Sequence, residues 1–405
     1  MKNVLAMVLA GGRGERLYPL TRDRAKPAVP FGAVYRIIDF TLSNCVNSAI
    51  RKIYILTQYK SQSLDRHIQL GWNILSTRMG EFINIIHAQQ RINENWYQGT
   101  ADAIFQNIYT LQQERPEYVL VLSGDHIYKM DYRELIEFHI KRKADLTIST
   151  IETDKEESSN FGVLQVNDES QIIGFQEKPS TPRTVPHNPA KILINMGVYV
   201  FKTEVLVKRL IENAKKKDTE HDFGKNIIPA MIKKDRVLAF PFIDRKEKGP
   251  GYWKDVGTLE AYWEASMDII AEKPPLDSFD AAWRIFTYEE TGTPAKIEGL
   301  QERDGILFGI VYNSILSQGC VVRTGRVSRS ILSPSVTVGE FSLIQESILM
   351  NNVTVGKNCR IQRAIIDKHV HLPDGTEVGY NLANDKKRFT VTDSGIVVIP
   401  KGTVF

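Results

Sequence analysis

Through the first 150 residues, apolar runs of strand length alternate with stretches of helical periodicity. Residues 4–10, 53–56 and 118–122 are almost wholly apolar, whereas 101–113 and 132–142 repeat their apolar positions at helical spacing. Asp131 precedes the second helix with Glu134 three residues on, a capping-box pattern that reads as structural. Strands follow at 146–148, 163–166 and 198–201, and a helix is expected after His221-Asp222. An aromatic-rich helix over 252–270 closes the unit, and Lys273-Pro274-Pro275 breaks it. This alternation predicts an α/β unit over residues 1–270, doubly wound about a mostly parallel, Rossmann-like sheet, with ligand loops at the strand C-termini.

The pattern then changes. Residues 271–296 are rich in Pro, Asp and Gly, lack periodicity and read as a linker. Beyond them, rows begun at Ser314, Ser330, Ser347 and Ala364 align the sequence with itself. One column holds Ile315, Ile331, Ile348 and Ile365, and the next Leu316, Leu332, Leu349 and Ile366. Later columns hold Cys320, Val336, Val353, Val370 and then Val322, Val338, Val355, Leu372. A repeat of 16–17 residues is close to three hexapeptides per coil and predicts a parallel β-helix over 297–405. Gly339 and Gly356 fall at corresponding turns.

Bulk properties narrow the function only by exclusion. The 405 residues are 42% hydrophobic and 25% charged, enough for a sizeable core. A net charge of +4 is too even to imply nucleic acid or a membrane surface as partner. Cys45, Cys320 and Cys359 are too scattered for a disulfide framework or a zinc site. Met1-Lys2-Asn3 leads straight into a strand, and no apolar run reaches membrane-spanning length, so the cytoplasm is the expected location.

The chemistry lies in a few short stretches. The first strand ends in Gly11-Gly12-Arg13-Gly14-Glu15-Arg16-Leu17. Glycines there let successive N–H groups approach an anion, and Arg16 with Lys26, in Arg24-Ala25-Lys26-Pro27, supplies cations for a polyphosphate. Neither the G-x-x-x-x-G-K-[ST] loop nor the G-x-G-x-x-G fingerprint fits. Asp125, in Ser123-Gly124-Asp125-His126, stands at the end of the most apolar strand and either caps the next turn or, with the glycine loop beside it, holds a Mg²⁺ bridging triphosphate oxygens. Asp255, in Trp253-Lys254-Asp255-Val256-Gly257, either caps a helix from Leu259 or completes that hard-oxygen site. Glu177-Lys178-Pro179 is a solvated turn or a pair that takes sugar hydroxyls and a sugar phosphate. Trp96-Tyr97-Gln98-Gly99-Thr100 opens a helix, a natural nucleotide site, and His87-Ala88-Gln89-Gln90-Arg91 offers amides for a base edge. No two histidines have metal-ligand spacing, and none is assigned a role.

The pattern L-A-G-G-x-G-x-R-L with a later K-P resembles the sugar-phosphate nucleotidyltransferases. With RIIDFTLSNC, TQYKSQSL, NWYQGTADA, SGDHIYKMDY, EKPS, MGVYVF, HDFGK and YWKDVGTLEAYW, the resemblance narrows to the bacterial glucose-1-phosphate adenylyltransferases and runs nearly the whole length. It implies a GT-A-like catalytic domain, a left-handed β-helix for regulation and assembly, and a homotetramer. The implied reaction converts ATP and glucose 1-phosphate to ADP-glucose and diphosphate, with Mg²⁺, for glycogen synthesis. By the resemblance, Leu9, Ala10, Gly11, Gly12, Gly14, Arg16, Lys26, Gln89 and Gly99 would hold the nucleotide. Tyr97, Gly162, Glu177, Lys178, Asn195 and Asp222 would hold glucose 1-phosphate. Asp125 and Asp255 would hold the metal, and Arg16, Lys26, Asp125, Lys178 and Asp255 would carry catalysis. Gln58 and Trp96 match positions that pass regulatory signals, and Lys368 and Lys401 match lysines that bind anionic effectors in a cleft between the domains.

Two departures stand out. Asn195 replaces a serine common in relatives, and an amide can still bond a sugar hydroxyl. Val34 stands where relatives activated by fructose bisphosphate carry lysine, so that activator is not expected to act strongly. The alternatives are use of another nucleoside triphosphate, a non-catalytic regulatory subunit of the same fold, or acyl transfer by the β-helix through His369 or His371.

Overall fold

The computed structural model describes residues 3–89, 96–186, 188–244, 249–302, 305–307 and 309–405. Its centre is the strand Val4–Leu9, hydrogen-bonded in parallel to Lys52–Thr57 on one side and Tyr118–Ser123 on the other. Phe82–His87 extends the parallel half beyond Lys52–Thr57. The run is apolar at every position because both faces of the sheet are covered. Val4, Ala6 and Val8 pack with Ile38, Leu42 and Ile53, while Leu5 and Met7 pack with Ile104, Leu111 and Phe201 on the opposite face. Parallel strands end at one edge, so the loops after Leu9, Thr57, His87 and Ser123 open together.

The other half of the sheet is antiparallel, so the expected doubly wound sheet is a mixed one. The twelve-residue strand Lys191–Lys202 returns against Tyr118–Ser123 with its second half. Its first half lies between Leu146–Asp154 and Gly162–Val166, and Ile172–Glu177 pairs with the latter. A break in register between Asn195 and Tyr199 lets one strand serve all three neighbours.

Several predicted helices are shorter than their periodicity. The stretch over 101–113 divides into Thr100–Phe105 and Ile108–Glu114. The side-chain amide of Asn107 bonds the Ala103 carbonyl at the break, a local competitor to the helical ladder. Asp131 caps Tyr132–Lys141 by accepting from Arg133 N–H, as its structural reading requires. The helix expected over 252–270 runs only from Leu259 to Asp268, because Trp253–Asp255 forms a strand against His126–Tyr128.

Residues 310–399 wind into the predicted coils. Ile315, Ile331, Ile348, Ile365 and Val398 stand in register on parallel strands, as do Val322, Val338, Val355 and Leu372 on a second face. Each column is therefore a ladder of apolar side chains, half-buried at Ile315 in the first coil and buried in the coils that follow, which is why the repeat shows in the sequence. The corners are turned by non-glycine residues at positive φ, among them Arg329, Glu346 and Arg363 at one corner and Ser335, Asn352 and His369 at another. Gly339 and Gly356 serve stacking instead: a Cβ on Gly339 would lie 2.5 Å from the Gly356 carbonyl oxygen.

The segment between the two units is strapped down. Trp283 Nε1 donates to Asn44 Oδ1, Phe286 N to Ser43 Oγ and Thr287 Oγ1 to Asp39 Oδ2, all on the helix Ile37–Asn47. One apolar cluster then joins Ile331, Ile348 and Ile365 of the β-helix to Phe31, Tyr262 and Ile269 of the first unit. The β-helix is thus packed against the sheet domain.

Candidate functional site

The loop after Val4–Leu9 does not continue into a long helix; it makes one 3₁₀ turn at Glu15–Leu17. Gly14 heads that turn at φ 63°, a conformation that penalises a Cβ. A side chain there would also come within 3.0 Å of Lys26 Cβ. Thr21 Oγ1 donates to the Gly14 carbonyl and tightens the turn. Among the described residues, the N–H groups of Gly11, Gly12, Arg13 and Gly14 donate to no protein acceptor. They border a cleft of about 720 Å³ lined also by Gln58, Tyr97, Gly99, Asp125 and Asp255. A row of unpaired amides at a cleft suits an anion.

Both carboxylates meet in this cleft. Asp125 lies just past Tyr118–Ser123, and the pairing of Trp253–Asp255 with His126–Tyr128 sets Asp255 opposite His126. The capping alternative for Asp255 falls away, since Thr258 Oγ1 caps the helix Leu259–Asp268 by accepting from Ala261 N–H. Between the two carboxylates sits Lys26, whose Nζ is 2.6 Å from Asp255 Oδ1 and 3.0 Å from Asp125 Oδ2. Burial alone would lower the Lys26 ammonium, but Asp125 and Asp255 outweigh it and hold its pKa above the ordinary value. Burial likewise opposes the Asp125 carboxylate, yet Lys26 beside it keeps its pKa below the ordinary range. Arg16 reaches the same place, for a Cβ on Gly257 would lie 2.9 Å from Arg16 Nη2 and 3.2 Å from each Asp255 oxygen.

The sequence offers no reason to single out His126, but the structure does. Its Nε2 is 3.6 Å from Asp125 Oδ1 and 4.0 Å from Asp255 Oδ1. One ligand atom from each of Asp125, His126 and Asp255 falls within 4.8 Å of the others. Two carboxylates converging on one cation, here an ammonium, are a donor set that fits a hard divalent metal. The available signal was the neighbouring Asp-His pair itself, and it becomes legible only once Asp255 is known to lie across from it.

Of the residues expected to take the sugar phosphate, Tyr97 lines this cleft, whereas Gly162, Glu177, Lys178, Asn195 and Asp222 lie outside its lining, on and beside the antiparallel half of the sheet. Glu177 stands opposite Gly162 in register, and a Cβ on Gly224 would come within 3.0 Å of Glu177 Oε2 and 3.3 Å of Asp222 Oδ1. Burial, then Asp222, push the Glu177 carboxyl up against the pull of Lys178 and Lys225. Lys178 is exposed at φ 46°, in the turn that ends the strand Ile172–Glu177. Asp222 accepts from Thr100 Oγ1 at 2.8 Å and so joins this corner to the helix opening at Gly99. Tyr97 is held from both ends, its hydroxyl by Asn107 Nδ2 and its carbonyl by Gln58 Nε2. Asn195 spends its side chain locally, donating to Tyr199 Oη at 2.8 Å and accepting from Gly197 N–H across the break in register. Trp96 and Gln89 are exposed and outside the lining of the cleft, while Gln90, Arg91 and Asn95 lie outside the described residues.

Val34 and Lys368 line a separate cavity of about 180 Å³ between the two units, with Arg36, and Lys401 is not part of its lining. Burial, then Arg36 and Arg24, bring the Lys368 ammonium down to about 7. Lys401 is exposed, and its carbonyl accepts from Arg22 Nη2. His369 and His371 are both exposed, one on a corner and one on a strand.

Two family models match the chain. The family model described as Nucleotidyl transferase matches residues 5–272, and that described as GlmU-like, C-terminal hexapeptide matches residues 293–399. The chain is 49% identical over 404 residues to a glucose-1-phosphate adenylyltransferase of Rhodopirellula baltica, covering 99% of this chain and 91% of that relative. It is 48% identical to the enzyme of the same name from Koribacter versatilis, over 99% and 96% of the two chains. Against that of Thiobacillus denitrificans the identity is 49%, over 98% and 90%.

Proposed function

The chain belongs to the nucleotidyl transferase family, among relatives named glucose-1-phosphate adenylyltransferase, and on that premise we propose that it makes ADP-glucose from ATP and glucose 1-phosphate. The observation that carries the reading is the convergence of Asp125, Asp255, Lys26 and Arg16 beside the glycine loop. That intact cleft speaks against a purely regulatory subunit.

An oxygen of the sugar phosphate attacks the α-phosphorus of ATP in line, the new P–O bond forms, and diphosphate leaves with the electrons of the broken bond. No protein nucleophile is required, so the residues act by position and charge. The amides of Gly11 to Gly14 hold the triphosphate, with Arg16 and Lys26 offsetting its charge. Lys178 pairs with the sugar phosphate, while Glu177 and Asp222 accept sugar hydroxyls. Asp125 and Asp255 would hold Mg²⁺, which when bound neutralises phosphate charge.

The cavity shared by Lys368, Arg36 and Val34 is the place for an anionic or nucleotide effector. The same family reading brings assembly as a homotetramer, a cytoplasmic location and a role in glycogen synthesis. Among the described residues no helix is long and apolar enough to cross a membrane.

A diphosphate-release assay with glucose 1-phosphate and each of four nucleoside triphosphates tests the proposal. ATP is expected to be used best, and Asp125→Asn to keep its fold while losing nearly all turnover. Preference for UTP or dTTP would reassign the substrate. Silence with all four would leave a regulatory subunit.

A further inference from the structure

In this structure the cation between the two carboxylates is a side chain of the protein. Lys26 is 7% exposed, so its ammonium is fixed between Asp125 and Asp255 rather than brushing past them. A divalent ion bonded to Asp255 Oδ1 at about 2.1 Å would lie no more than about 4.7 Å from an ammonium 2.6 Å from the same oxygen. Two cations at that separation repel, and both would draw on the charge of Asp255 Oδ1. His126 Nε2 stands 3.6 Å from the other Asp125 oxygen, Oδ1, and 4.0 Å from the shared Asp255 Oδ1, so it borders the same carboxylate pair. Lys26 also has somewhere else to go. Its Cβ lies under the Gly14 turn, and it lines the same cleft as Gly11 to Gly14, whose N–H groups donate to no acceptor among the described residues.

We propose that Lys26 is an internal competitor for the divalent cation: it occupies the carboxylate pair in the empty enzyme and is drawn off by the incoming triphosphate, so that metal and nucleotide bind cooperatively. The inference rests on the reading of this cleft as a nucleotide and metal site. Its consequence is that the free enzyme holds a divalent ion poorly, and the metal is admitted with the nucleotide. Lys26 thereby keeps the carboxylates paired until a substrate arrives.

The test is titration of the full chain with Mn²⁺ alone, read by the loss of its free-ion electron paramagnetic resonance signal. Lys26→Met and Lys26→Gln are expected to bind Mn²⁺ roughly tenfold more tightly than the unmodified chain, or better. Lys26→Arg keeps a cation in place and is expected to bind as weakly as the unmodified chain. If Lys26→Met and Lys26→Gln, folded by near-ultraviolet circular dichroism, bind no more tightly or not at all, the proposal is overturned. A crystal of the unmodified chain soaked in Mn²⁺ tests it without any variant. Anomalous density on both carboxylates should then coincide with Nζ displaced from Asp255, and Mn²⁺ on both with Nζ still in place would overturn it. Neither readout needs turnover. An inactive chain whose Lys26→Met form binds Mn²⁺ more tightly would sink the proposed reaction and leave this inference standing; an active chain without the tightening would do the reverse.

Discussion

Arg24 and Asp367 join the two units by a buried ion pair, with Arg24 Nη2 at 2.9 Å from both carboxylate oxygens and side chains only 5% and 1% exposed. Arg24 lies two residues before Lys26, and Asp367 immediately before Lys368. The main-chain N–H of Lys368 donates to the same carboxylate at 2.7 Å. One contact therefore ties the loop that carries a cleft cation to the coil that lines the inter-unit cavity.

Removing one partner strands the other in a dry interface. Arg24→Ala and Asp367→Ala are each expected to lower the unfolding free energy by about 3–5 kcal/mol, measured by denaturant titration. The double variant should cost clearly less than the sum, because the second substitution removes the stranded charge. Additive losses would mean that the pair contributes no coupling.

Two glycines of the loop separate folding from binding. A Cβ on Gly12 meets nothing within 4 Å, so Gly12→Ala should melt like the unmodified chain. Its KM for ATP should rise, since the methyl group occupies the space a phosphate needs. Gly14→Ala forces an alanine to φ 63° against Lys26 and Thr21, and should lower stability by about 1–3 kcal/mol even without nucleotide. Equal melting losses for the two would show that the loop is constrained by packing alone.

Lys178→Gln should raise the KM for glucose 1-phosphate far more than that for ATP, because a charge-assisted contact to phosphate of about 1.5–3 kcal/mol is lost. Lys178 is exposed in a turn, so its replacement is not expected to change the melting temperature. Parallel rises in both KM values would remove it from the sugar-phosphate site.

Lys368 makes stability depend on pH in a definite direction. Folding pulls its ammonium from 10.5 to about 7, so between those values the unfolded chain binds the extra proton. Stability from this group accordingly increases as pH rises from about 7 toward 10.5, and the cost of burying the charge is fully present below about 7. Lys368→Met should melt higher than the unmodified chain at pH 6 and converge with it by about pH 10. A constant difference across that range would contradict the burial of a charged lysine.

Much of this protein was legible before any coordinates, for a physical reason. Strand and helix periods are local, and in a β-helix the register of one coil on the next is itself a sequence repeat. The columns headed by Ile315 and Val322 therefore state their own neighbours. The glycine loop was legible because its backbone requirement is written in residue type. What only the tertiary structure decided is which distant groups share a volume. Trp253–Asp255 leaves the predicted helix because pairing with His126–Tyr128 satisfies its backbone, and that choice brings Asp255 to Asp125 and His126. Lys26 between the carboxylates, Arg24 on Asp367 and the return of Lys191–Lys202 across the sheet likewise join residues far apart in the chain. Propensity and spacing act over a few residues, whereas these contacts depend on how whole elements cross. The sequence by itself determined the central strands, the coils and the glycine loop; the packing of one element on another decided where the charges meet.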